Sequence, residues 1–206
     1  LSPLLFSLAI EPLAIAVRQT SSIRGTVIGT TQYKILLYAD DILLTLTDPQ
    51  NSIPALIKCV KEFGRISGYK INFTKSEIMP LGISYEHEPD FVKPFRWAPD
   101  GFTYLGVKIS PKICQLYAKN VNPMVKHIKD KMLSWEKLPI SFLGRINLIK
   151  MTILPKMMYP LSMLFISLKR NNIKDINKAI SDFIWAGRKA KIKLDILQLP
   201  KEQGGW

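Results

Sequence analysis

Two short runs rich in Leu and Ile, Lys34-Ile35-Leu36-Leu37 and Ile42-Leu43-Leu44-Thr45-Leu46, are separated only by Tyr38-Ala39-Asp40-Asp41. Apolar runs of that length around a polar turn predict a β-hairpin over residues 33–47, with both acids at or beside its bend. Carboxylates held against an apolar sheet are costly to desolvate unless a cation meets them. Two of them at the rim of a sheet can hold Mg²⁺, which keeps several waters and takes one or two carboxylates plus substrate phosphates. Asp is equally an ordinary turn residue that tolerates left-handed backbone. The four residues alone leave both readings open.

Around the hairpin the pattern is mixed. Ser2-Pro3 reads as a helix start, with Ser2 as N-cap, and the helix runs to about Arg18. A turn-rich stretch with Gly25 and Gly29 leads into the hairpin. Asp48-Pro49 and Asn51-Ser52 open a second helix, in which Leu56, Val60 and Phe63 keep helical spacing as far as Gly68. This order predicts an α+β layer, an antiparallel sheet with helices covering one face. Residues 83–100, with Pro80 just before them and Pro89, Pro94 and Pro99 within, read as a loop, and Phe102 to Ser110 returns to strand character. Beyond Pro111 the chain turns helical and basic. Phe142, Ile146, Ile149 and Ile153 form one apolar stripe, capped by Ser141 and ended by Pro155. Ile173, Ile176, Ile180 and Phe183 form another, capped by Asn171 or Asn172. Met124, Ile128 and Met132 start a third. The three together predict a helical bundle from about 112 to 190.

Charge divides the chain in the same place. Residues 1–106 hold ten Lys/Arg and ten Asp/Glu, whereas residues 107–206 hold nineteen and six, which is the whole net charge of +13. Such asymmetry points to a half that handles an acidic polymer. Cys59 and Cys114 stand far apart with no paired spacing, so neither a disulfide framework nor a zinc site is indicated, and a reducing, intracellular setting with no disulfide-linked partner is expected. The apolar opening contains Glu11 and lacks a positive leader. The longest uncharged apolar run, Met157 to Leu168, is broken by Pro160 and is too short to span a bilayer, so no membrane partner is expected.

Five ordered segments carry a resemblance. Tyr38-Ala39-Asp40-Asp41 resembles the metal-binding motif of reverse transcriptases, and Leu1-Ser2-Pro3-Leu4-Leu5-Phe6 is similar to the end of the motif before it. Ser67-Gly68-Tyr69-Lys70-Ile71-Asn72-Phe73-Thr74-Lys75-Ser76-Glu77 resembles the loop and strand after the catalytic hairpin. Phe102-Thr103-Tyr104-Leu105-Gly106-Val107 resembles the primer-grip hairpin. Gly144-Arg145-Ile146-Asn147-Leu148-Ile149-Lys150 and Leu154-Pro155-Lys156 resemble the thumb of non-LTR retrotransposon enzymes, and Phe183-Ile184-Trp185 and Gly204-Gly205-Trp206 fit the same group.

The resemblance implies a partial polymerase palm over residues 1–111, an all-helical thumb over 112–190, and the start of a C-terminal connection over 191–206. It implies RNA-directed DNA synthesis with two Mg²⁺ ions in the complete site, about 3.5–4 Å apart. An RNA template, a DNA primer or RNA–DNA hybrid, and dNTPs would be the partners. The nucleus and cytoplasm would be the compartments. Asp40 would bind metal and Asp41 would support or share it. Tyr38 would shape the floor of the site, and Lys75, or alternatively Lys70, would face the outgoing pyrophosphate. Ser2, Pro3 and Phe6 would line the nucleotide and template side. Tyr104, Leu105 and Gly106 would hold the primer, although Gly106 can equally serve a strand bend. Lys126, Lys129, Lys131, Arg145 and Lys150 would meet the duplex backbone. In the family a further Asp belongs to a motif that would precede Leu1, and neither Glu11 nor Asp48 replaces it; the resemblance therefore implies a fragment with half a catalytic site. Two other readings share these features. One is a catalytically dead nucleic-acid-binding relic of such an enzyme, and the other an interaction domain whose acidic turn is structural.

Overall fold

Helix α1 (Ser2–Gln19) opens the computed structural model, which describes residues 2–82 and 87–205, with side chains from residue 4 onward. The fold is α+β and divides into two compact units, Leu1–Pro99 and Asp100–Trp206. In the first unit, Ile10, Leu13, Ala14 and Val17 recur at helical spacing on α1 and are buried with Ile23, Ile35 and, from helix α2 (Pro49–Ser67), Leu56 and Val60. Between the helices lie β1 (Thr26–Ile28), β2 (Thr31–Tyr33), β3 (Ile35–Tyr38) and β4 (Asp41–Leu44). The β3–β4 register pairs Ile35 with Leu44 and Leu37 with Ile42, and these side chains turn toward the core. Leu36 and Tyr38, on the alternate face, are exposed.

Two buried polar side chains hold this unit together. Lys34 donates from Nζ to the carbonyls of Arg18 and Thr20, both at 2.8 Å, and so supplies charge and donors to the end of α1. Ser52 accepts from the Arg24 amide and donates to the Ser22 carbonyl, clamping the loop after α1 onto α2. Helix α2 stops at Gly68, whose φ of +73° is the left-handed cap that glycine adopts without a Cβ penalty.

Among the described residues the strands do not join into one antiparallel sheet. They form separate two-stranded ladders, with the stretch around Gly29 a hairpin of its own and β5 (Glu77–Ile78) running parallel to β6 (Arg96–Trp97). The region read as a loop over 83–100 thus holds β6, preceded by a 3-10 turn at Asp90–Val92. Its pairing is long-range: the Arg96 amide donates to the Ser76 carbonyl, and the guanidinium meets Glu77 at 3.3 Å. No local periodicity reports such a contact.

The second unit starts with the hairpin of β7 (Phe102–Tyr104) and β8 (Val107–Ile109) and continues as α3 (Ile113–Glu136), α4 (Phe142–Leu148), α5 (Leu154–Leu164), α6 (Arg170–Ile184) and α7 (Leu194–Leu197). Met124, Ile128 and Met132, Ile146, Ile149 and Ile153, and Ile176, Ile180 and Phe183 are all buried in one cluster, as their spacing predicts. Ile173 departs from its stripe and is 42% exposed. Ser141 accepts from the Gly144 amide at 3.2 Å and caps α4.

Pro155 does not end the helix. Residues Ile149–Ile153 form a π turn between α4 and α5, and Pro155 sits in the first turn of α5. Proline has no N–H for the carbonyl four residues back and crowds it, and the wider turn before it accommodates both defects. Nor do Asn171 or Asn172 cap α6. Lys169 is its N-cap, and the Tyr117 hydroxyl on α3 accepts from the Lys169 amide at 3.0 Å and from Asn172 Nδ2 at 2.9 Å. The cap is borrowed from another helix. Among the described residues no helix is long and apolar enough to cross a membrane.

Candidate functional site

The β3–β4 hairpin closes through two residues, Ala39 and Asp40, and its last pair is Tyr38 with Asp41. Ala39 has φ of +49°, a left-handed conformation that two-residue hairpin loops usually give to Gly, Asn or Asp. An alanine there costs on the order of 1–3 kcal/mol and persists because the flanking strands impose it. The outcome is that Asp40 sits in the turn, Asp41 opens β4, and both are exposed. Asp41 shares the open face of the hairpin with Tyr38, which is 62% exposed. Neither carboxylate makes an ion pair among the described residues.

Tyr69 lies within reach of this turn. Its ring packs against Phe63 and the core that includes Leu37 and Ile42. Burial pushes its phenol above the ordinary value, and the charge of Asp40 pushes it in the same direction. In the sequence Tyr69 stands out only as part of the longer motif from Ser67 to Glu77. Its closeness to Asp40 depends on how α2 ends at Gly68. Lys75 is exposed in a turn whose backbone bonds to Asn72, and Lys70 is exposed beside Tyr69. Neither lysine makes an ion pair with Asp40 or Asp41. Phe6 lies on α1 and is 37% exposed. The side chains of Ser2 and Pro3 lie outside the described residues.

Two adjacent, exposed carboxylates at a tight hairpin tip fit a hard cation that keeps waters and phosphate oxygens as its other ligands. They do not make a complete cage. Among the described residues no group of three or more His, Cys, Asp or Glu side chains comes together.

In the second unit, Leu105 and Gly106 close the β7–β8 hairpin with φ of +48° and +77°. Both values are positive, as a type I′ turn requires, and glycine serves the second without strain. The tip is anchored. Tyr159 on α5 donates to the Leu105 carbonyl at 2.7 Å. Asn120 on α3 accepts from the Lys108 amide and donates to its carbonyl, both at 2.8 Å, so its side chain stands in for a further strand.

The expected backbone-contact residues divide. Lys126 and Lys150 are exposed. Lys131 is exposed with its ammonium 5.5 Å from the centre of the Trp135 ring. Lys129 pairs with Asp175 on α6 at 2.6 Å. Arg145 must be withdrawn from the set. It is 6% exposed and donates to the carbonyls of Phe183, Ile140 and Glu136 while lying over the Phe183 ring. Its donors are spent on the ends of α3 and α6 and on the Ile140 carbonyl between α3 and α4. Lys156, which the sequence offers only as part of a thumb motif, has its Nζ 2.7 Å from His127 Nε2.

Residues 1–109 match the reverse transcriptase (RNA-dependent DNA polymerase) family. The chain belongs to that family. It is also similar, at 25% identity over its full length, to the uncharacterised 149 kDa protein of transposon TX1 from Xenopus laevis. At 26% identity over 78% of the chain, it is similar to the retrovirus-related Pol polyprotein of the type-1 retrotransposable element R2 from Popillia japonica. These likenesses place it among reverse transcriptases of the non-LTR kind. The chain spans 16% and 23% of the lengths of these relatives. Reverse transcriptases as a family use divalent metal and bind an RNA template and a primer.

Proposed function

We propose that this chain is the distal palm and thumb of an RNA-directed DNA polymerase, with residues 1–111 as palm, 112–190 as thumb and 191–206 as the start of a connection. The observation that carries this reading is the pair Asp40-Asp41 at a strained two-residue hairpin tip, within the segment that matches the family. Asp40, with Asp41 sharing or supporting, holds Mg²⁺. When bound, the metal neutralises charge on the reacting phosphates, which together with positioning supplies most of the rate in phosphoryl transfer. The chain's own residues do the positioning. Tyr38 offers its exposed ring beside Asp41 as a floor for the primer end. The anchored Tyr104-Leu105-Gly106 tip holds the primer backbone, with Gly106 leaving its peptide accessible. Lys75, or Lys70, faces the departing pyrophosphate. Phe6, with Ser2 and Pro3, lies on the template and nucleotide side. Lys126, Lys129, Lys131 and Lys150 meet the backbone of the RNA–DNA hybrid, and dNTPs are the monomers. The nucleus and cytoplasm are the compartments in which such an element works.

The test uses an active protein of the relatives' length that carries these residues. Asp40→Asn there abolishes template-directed incorporation and leaves primer–template affinity nearly intact, because it removes metal-binding charge and not the phosphate-binding surface. Full activity in the variant would return Asp40 to the status of a turn residue. The 206 residues alone bind primer–template but do not extend it, since two carboxylates supply only part of a two-metal site.

A further inference from the structure

Arg170, Lys174 and Lys178 recur at every fourth residue of α6. They form one row along its length, in steps of about 6 Å. All three are exposed, and none makes a hydrogen bond or ion pair among the described residues. The opposite side of the helix carries Ile176, Ile180 and Phe183 into the core, and α6 packs there against α3 and α4. A solvated helix face is ordinarily stabilised by opposite charges four residues apart, and like charges at that spacing repel. Here the nearest acid, Asp175, is turned away to Lys129 on α3. Asp182 follows Lys178 by one turn without pairing with it. The row is a line of positive charge whose members make no ion pair among the described residues.

From this geometry we infer that the outer face of α6 is a second nucleic-acid contact, which takes the phosphate backbone of single-stranded RNA along Arg170, Lys174 and Lys178. It is separate from the α3 surface. Lys126 and Lys129 line a depression with Asn172, and Asn172 lies on the inward side of α6. A strand on the outer row therefore leaves that seam free. The row is convex and single, so it follows one strand, and the deep, narrow major groove of an A-form duplex would not admit it. No aromatic side chain lies in the row to stack on bases, so binding reads charge and not sequence. The choice of RNA over DNA rests on the proposed reverse transcriptase reading; the row of charge does not.

The experiment measures affinity of the whole chain for a uridine oligomer and for an RNA–DNA hybrid across a range of salt, by fluorescence anisotropy. Two variants are compared, Arg170→Gln/Lys174→Gln/Lys178→Gln and Lys126→Gln/Lys150→Gln. Circular dichroism checks that both stay folded. Loss of three single-strand contacts flattens the slope of log affinity against log salt by about 2 in the triple variant. The double variant leaves the slope on the oligomer unchanged and flattens it on the hybrid. A triple variant with the parental slope on the oligomer overturns this inference and leaves the proposed function standing. A parent chain that binds neither nucleic acid overturns both.

Discussion

Asp40 and Tyr69 come from separate segments, yet the carboxylate of one acts on the phenol of the other. Burial is the larger cause of the raised Tyr69 value and the Asp40 charge the smaller, and both disfavour the tyrosinate. The sign follows. A group whose folded value lies above its unfolded one stabilises the fold fully below the unfolded value, about 10 for a phenol. That contribution is lost as pH rises through the folded value. Asp40→Asn should therefore lower the Tyr69 titration without returning it to the ordinary value, because burial remains. Isotope-labelled tyrosine NMR resolves this phenol from the others. An unmoved titration would mean that Asp40 does not face Tyr69.

At the scale of elements, four helix ends are completed by side chains from elsewhere in the chain. Lys34 closes α1, Tyr117 caps α6, and Arg145 gathers carbonyls from the last turns of α3 and α6 together with that of Ile140. Helix termini leave backbone groups unpaired, and burying them unpaired is expensive. Arg145→Met keeps much of the volume but strands those carbonyls. It should lower stability by about 3 kcal/mol in denaturant unfolding, charged hydrogen bonds being worth about 1.5–3 kcal/mol each. Lys150→Met on the exposed side of the π turn should stay within about 0.5 kcal/mol of the parent. Equal effects of the two would contradict the structural role given to Arg145.

Across the whole molecule, the two compact units have separate cores and unequal charge. The excess of Lys and Arg after residue 106 predicts that nucleic-acid affinity travels with the helical unit. Residues 100–206 expressed alone should retain nearly the full salt-dependent affinity of the chain for duplex, and residues 1–99 should show little. Comparable binding by the first unit would move the interface to the hairpin side.

Much of this architecture was written locally. The hairpin around Asp40-Asp41, the cap at Gly68, the Ser141 cap and the buried stripes of α3, α4 and α6 each follow from turn chemistry or helical spacing within a few residues. The charge asymmetry and the ordered motifs are likewise properties of the chain read in line. What sequence could not decide depended on partners far along it. β6 exists because Ser76 and Ile78 offer carbonyls to it. Arg145 reads as one more cation of a basic helix until three carbonyls surround it. Pro155 reads as a terminator until the π turn carries the helix past it. Tyr69 gains its interest from where α2 sets it down. Local propensity acts over one or two turns, whereas burial, pairing and the fate of a charge are settled by whatever the fold brings beside them.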